Sequence, residues 1–163
     1  MTRHHHAMPR TFDVVIVEDD PDDARLLDRA LHRVARADGR SLRVAHHRNG
    51  WEALRAVGRS DVLDELPDFV VVDLNMPVMD GMRFLRLLRR ELRLPDLPAF
   101  VLTTSDRPEI HCAAREMGAD RVFHKPDGHR DLVAVVEAMM EHVTRDEAER
   151  AAHASVSCDR STD

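Results

Sequence analysis

Cysteine is scarce in this chain. Cys112 and Cys158, the two present, are too few and too far apart in sequence for a disulfide framework or a zinc site, so a reduced cytosolic setting without disulfides is expected. Long apolar runs are missing too: nothing reaches transmembrane length, and Met1 to Arg10 lacks the apolar segment of a secretory signal. The expected location is the cytoplasm, with no membrane partner. Positive charge is not in excess either. With 24 Lys and Arg scattered among 30 Asp and Glu, the formal net charge is -6, and no basic patch is dense enough to argue for nucleic acid. An acidic protein of this kind meets another protein or a cation.

What is present suits one domain: 163 residues, 43% hydrophobic, with room for a proper core. Residues 1–11, with the His4-His5-His6 tract, read as a disordered N-terminus. Residues 12–144 read as the domain, and 145–163, poor in large apolar residues, as a helical extension with a flexible tail.

The organising stretch is Phe69-Val70-Val71-Val72-Asp73-Leu74-Asn75-Met76-Pro77-Val78-Met79-Asp80-Gly81. A short apolar run followed by turn residues reads as a strand buried on both faces, with Asp73 at its end. Phe12 to Val17 makes a first such strand, tipped by Glu18, Asp19 and Asp20; Asp20 is a good N-cap, Pro21 suits the first helical position, and Asp22 and Asp23 favour the positive end of the helix dipole. A modest strand over Leu42 to His46 precedes a short helix from Gly50 to Val57 with Trp51, Leu54 and Val57 on one side; Gly58 to Leu66 is ambiguous. The helix after Gly81 is expected to continue through Glu91 to Leu94. Ala99 to Leu102 is a fourth strand tipped by Thr103-Thr104-Ser105, Pro108 opens a helix closed by Gly118, and Arg121 to His124 is a fifth strand ending at Lys125-Pro126. Leu132 to Val143 is a fifth helix. The alternation predicts an α/β fold, a doubly wound parallel five-stranded sheet. Glu18, Asp19, Asp73, Thr103 and Lys125 then fall at the carboxyl ends of their strands, on one edge.

Carboxylates crowded on one rim become tolerable when a hard divalent cation lies between them, and magnesium, with its oxygen ligands, suits phosphoryl chemistry. A carboxylate beside it can attack phosphorus and form an acyl phosphate. Lys125 supplies a point charge and Thr103 a hydroxyl for the transferring group.

The set Val17-Glu18-Asp19-Asp20-Pro21, Asp73 to Gly81, Leu102-Thr103-Thr104-Ser105 and Lys125-Pro126 resembles the receiver domain of bacterial two-component response regulators, over about Phe12 to Val143. The resemblance implies a flavodoxin-like (βα)5 fold with strand order 2-1-3-4-5. It implies Asp73 as phosphoacceptor from a sensor histidine kinase; Asp19, Glu18 through water, Asp73 and the Asn75 carbonyl as Mg2+ ligands; Thr103 and Lys125 as the groups that respond to the phosphoryl group. It implies no turnover enzyme, only autophosphotransfer and slow self-dephosphorylation. Asn75 and Ser105 stand at the variable positions that tune phosphoryl loss. The Glu18 to Pro21 start and the Leu102 to Ser105 segment look like the stand-alone regulators paired with phytochrome-type kinases, including bacteriophytochromes. With no output domain visible, the signal would leave by contact with a downstream phosphotransfer or target protein.

One departure stands out. Val122 occupies the place where the family often has a switching Tyr or Phe, and the chain has no tyrosine; Phe123 is one residue out of register and faces the other way. A phosphorylation-independent adaptor therefore remains an alternative, and a magnesium phosphatase is a more distant one because Asn75 stands where a haloacid-type enzyme would carry a second Asp. His111 and His124 read either as phosphate carriers or as surface or packing residues, and Cys112 as a small core or semi-buried residue. On the fifth helix, Leu132, Val135, Val136 and Met139 suffice to face the sheet. Val133, Met140 and Val143 are surplus, and mark either a homodimer or partner surface or a broad core face.

Overall fold

The computed structural model describes residues 11–158; the His4-His5-His6 tract and residues 159–163 lie outside them. Five strands, β1 (Thr11–Val17), β2 (Ser41–His47), β3 (Phe69–Val72), β4 (Ala99–Thr103) and β5 (Arg121–His124), alternate with five helices. These are α1 (Pro21–Ala37), α2 (Gly50–Val62), α3 (Gly81–Arg90), α4 (Pro108–Glu116) and α5 (His129–Cys158). The strands form one parallel sheet in the order β2-β1-β3-β4-β5, the flavodoxin-like arrangement. Thr11, expected outside the domain, opens β1 and pairs with Ser41.

Period-two alternation splits the sheet's side chains between two cores. Phe12, Val14, Ile16, Phe69, Val71, Phe100 and Leu102 face α1 and α5. Val15, Val17, Val70, Val72, Ala99 and Val101 face α2, α3 and α4. Every residue of β3 is buried, as a central strand covered on both sides must be, and each such Val or Phe contributes roughly 1.5–3 kcal/mol by leaving water. Phe100 centres the first core, edge-on to Phe69 at 5.6 Å and Phe123 at 6.2 Å between ring centroids.

Two helices, α2 and α3, depart from expectation. α2 runs through Gly58 to Val62, with Leu92 packed beside Gly58, 3.4 Å from where a Cβ would stand. Its buried face is Gly50, Ala53 and Val57, and Trp51 is left half exposed. α3 stops at Arg90, and Arg93, with φ 54°, turns the chain so that Leu94 and Leu97 enter the core. α5 continues as one helix to Cys158. Its distal half contains no Pro or Gly and repeats Ala148, Ala151, Ala152 and Ala154, so propensity carries the helix where burial does not.

The surplus apolar residues of α5 are absorbed by the monomer. Met140 and Val143 are buried with α1, and Val133 and Val135 pack partly buried against the same core. No helix among the described residues is long and apolar enough to cross a membrane.

Candidate functional site

The carboxyl-terminal edge of the sheet is built by how each strand stops. β1 ends at Val17, and Glu18 is kept in the sheet's path by its N–H donating to the His47 carbonyl at 3.0 Å. Asp73 follows β3 directly, its N–H donating to the Val17 carbonyl at 3.0 Å. Thr103 is the last residue of β4 and fully buried, and the Lys125 N–H donates to its carbonyl at 2.6 Å. Main-chain bonds between neighbouring strands thus fix the roots of four side chains.

Helix starts then shape the rim. Asp20 caps α1, its carboxylate accepting from the Asp22 and Asp23 N–H groups, bonds that hold its pKa below the ordinary value. Asp80 caps α3 in the same way through Arg83. Gly81 fits under Asp73: a Cβ there would stand 2.3 Å from the Asp73 carbonyl oxygen. Glycine is needed for that approach. Asn75 is exposed, and its N–H donates to Asp73 Oδ2 at 3.0 Å, fixing one carboxylate oxygen.

The predicted acids converge. Glu18, Asp19 and Asp73 each offer a carboxylate oxygen within 4.8 Å of the others, two of them buried and Asp19 partly so. Lys125 Nζ donates to Glu18 Oε2 at 2.7 Å and to Asp23 Oδ2 at 2.9 Å, and lies 3.8 Å from Asp73 Oδ1. Burial raises the pKa of both Glu18 and Asp73 although Lys125 pulls each down. For Lys125, burial works against the charge, but the bonds to Glu18 and Asp23 outweigh it and its pKa rises. One ammonium does not balance three acids, and buried carboxylates facing one another are a donor set that a hard divalent cation fits.

The loop after β4 is held locally. Thr103 Oγ1 accepts from the Ser105 N–H at 3.2 Å. His111 Nε2 lies 2.6 Å from the Ser105 carbonyl and His124 Nε2 3.2 Å from the Thr104 carbonyl, so both imidazoles serve as donors to this loop. Val122 joins the α2–α4 core and Phe123 the opposite one, as the register predicts. Cys112 is exposed rather than semi-buried: α4 turns it outward, beside Glu116.

Asp23 is the rim residue that sequence reasoning missed. Helix-start chemistry accounts for an acid there, and only the tertiary fold brings Lys125, 102 residues on, against it.

The response regulator receiver domain model matches residues 14–137. Response regulator MprA of Mycobacterium leprae is 34% identical over 127 residues, 78% of this chain and 52% of that protein; the chain spans about half the length of the curated relatives it matches. Among solved structures, the phosphorylated cyanobacterial phytochrome response regulator RcpA aligns with TM-score 0.69 at 24% identity, covering 81% of this chain and 93% of that one. The Mn(2+)-bound form of response regulator Rcp1 aligns with TM-score 0.65 at 24% identity, covering 78% and 91%. With the strand order, the acidic rim and the matched residues in agreement, the chain belongs to the response regulator receiver domain family.

Proposed function

We propose that the protein accepts a phosphoryl group on Asp73 from a phosphohistidine of a sensor histidine kinase. The observation that carries this reading is the meeting of Glu18, Asp19 and Asp73 within 4.8 Å, beside Lys125 and on the sheet edge where β4 ends at the buried Thr103. An Asp73 carboxylate oxygen attacks phosphorus, the P–N bond breaks as the P–O bond forms, and the released imidazole nitrogen takes a proton from solvent.

Glu18, Asp19, Asp73 and the Asn75 carbonyl would hold Mg2+, which when bound supplies positive charge against the transferring phosphoryl oxygens. Burial of Glu18 and Asp73 supports that assignment, because a cation offsets the cost of ionising them there. Lys125 and Thr103 supply an ammonium and a hydroxyl donor to the group once it is on Asp73. The Asn75 N–H steadies the attacking carboxylate.

A kinase of the phytochrome type is supported by the Glu18-Asp19-Asp20-Pro21 start and by the likeness to RcpA. A downstream phosphotransfer or target protein would read the change at the β4–α4 loop, where Thr103 and Ser105 are joined. The homodimer reading loses its apolar argument, since Met140 and Val143 are buried within one chain.

Intact mass after incubation with Mg2+ and acetyl phosphate tests the proposal. One phosphoryl group is expected on the wild type, lost without magnesium and in Asp73→Asn. An adduct that survives in Asp73→Asn would place the acceptor elsewhere, and a wild type inert to both acetyl phosphate and kinase would leave the fold a binding module.

A further inference from the structure

We infer that Asp23 holds Lys125 back from the phosphoryl group and so limits how firmly that group is retained; the inference rests on the phosphoacceptor reading of Asp73. Asp22 and Asp23 are adjacent acids in the first turn of α1, yet they do different things. Asp22 is exposed and pairs with Arg25 on its own helix at 2.7 Å. Asp23 reaches across to Lys125, accepting from Nζ at 2.9 Å.

That bond matters because of where the ammonium is not. Lys125 is bonded to Glu18 and Asp23, but at 3.8 Å from Asp73 Oδ1 it is beyond hydrogen-bond reach of the acid it would serve. A divalent cation at the rim would engage Glu18, Asp19 and Asp73. Asp23 is not in that group, so it stays with Lys125. A phosphoryl group on Asp73 then carries roughly 1.5–2 negative charges where the carboxylate carried one, and a single compact ammonium is divided between it and Asp23. Removing the Asp23 charge concentrates Lys125 on the phosphoryl oxygens.

Two effects could follow from losing an acid at the rim: release of Lys125, or a general fall in negative potential. A double-mutant cycle separates them. Trifluoroberyllate, an anion that occupies the phosphoryl position on a carboxylate, is titrated with saturating Mg2+ into the full chain and into Asp23→Asn, Asp22→Asn, Lys125→Met and the double variant Asp23→Asn/Lys125→Met. The lifetime of the acetyl phosphate adduct is followed in parallel by intact mass. Asp23→Asn should tighten the anion about five-fold and lengthen the adduct's life by a similar factor, the scale of one partly exposed ion pair. Asp22→Asn should change neither, and the gain from Asp23→Asn should vanish without Lys125.

An unchanged or weaker affinity in Asp23→Asn overturns the inference, and so does a gain that persists in the Lys125→Met background. Where Lys125→Met binds too weakly to titrate, NMR exchange of the Lys125 ammonium protons decides: faster exchange in Asp23→Asn supports the inference and an unchanged rate overturns it. A wild type that takes neither anion nor phosphoryl group overturns the phosphoacceptor reading itself.

Discussion

Val78 carries a β-branched side chain on a left-handed backbone, φ 67°, and the residue is 80% exposed. Such a conformation costs about 1–2 kcal/mol, and it occurs in the loop that runs from Asp73 to α3. Val78→Gly should raise stability by roughly 0.5–1 kcal/mol once the added freedom of the unfolded glycine is subtracted, seen as a higher urea midpoint. Gly81 is the opposite case. Gly81→Ala would drive a Cβ into the Asp73 carbonyl, and should cost about 2–4 kcal/mol together with a lower phosphoryl yield by intact mass. At this scale the site acids were legible, because a strand's last residue is visible in the sequence as the end of an apolar run. Asp23 was not, since its partner comes from the opposite end of the domain.

At the scale of elements, Arg89 joins three segments at the far edge of the sheet. It donates to the carbonyls of Gly118, Leu94 and Leu97 and pairs with Asp120 at 2.9 Å. Asp120 in turn accepts the Ala99 N–H at 2.7 Å. Burial lowers the Arg89 pKa, although Asp120 opposes that. Gly118, with φ 109°, ends α4 above this side chain, where a Cβ would collide with Arg89 Cγ. Arg89→Ala leaves several carbonyls unpaired and should cost about 2–4 kcal/mol in urea unfolding, while Arg90→Ala should cost under about 0.5 kcal/mol. Nothing in the sequence distinguishes Arg89 from its basic neighbours on α3, as its role exists only after the loops have closed around it. The end of α2 was not legible, because the segment from Gly58 to Leu66 reads as ambiguous and only the packing of Leu92 beside Gly58 shows that it lies inside the helix, while the distal half of α5 is sustained by propensity without an apolar stripe.

For the whole molecule, the rim should make stability depend on pH and, at the proposed Mg2+ site, on cations. Burial lifts the Glu18 and Asp73 pKa values above those of the unfolded chain. Their protonated forms therefore favour folding at low pH, and that contribution is lost as pH rises through the folded-state values. Mg2+ should have the reverse profile, stabilising by roughly 2–3 kcal/mol at a hundredfold excess over its Kd at neutral pH and progressively less as the carboxyls protonate. Melting temperatures with and without Mg2+ across pH check both signs. Asp73→Asn should melt higher than the wild type without the cation and respond less to it. The parallel sheet itself was legible from five apolar runs separated by helical periods, and the convergence of the acids followed from topology alone.

α5 is 30 residues long, about 45 Å of continuous helix, and its first half is packed into the core while Arg150 donates to the Asp96 carbonyl at 2.9 Å farther along. Mechanically this is a lever anchored over its first half and steadied again at Arg150, about three-quarters of the way along. A tilt of about 10° at the anchored half would carry Cys158 through roughly 4 Å, given about 22 Å of helix beyond Val143. A tilt of the packed half is thus delivered at the tip over a distance set by the length of helix beyond the core, and severing the Arg150 contact would leave that length less constrained.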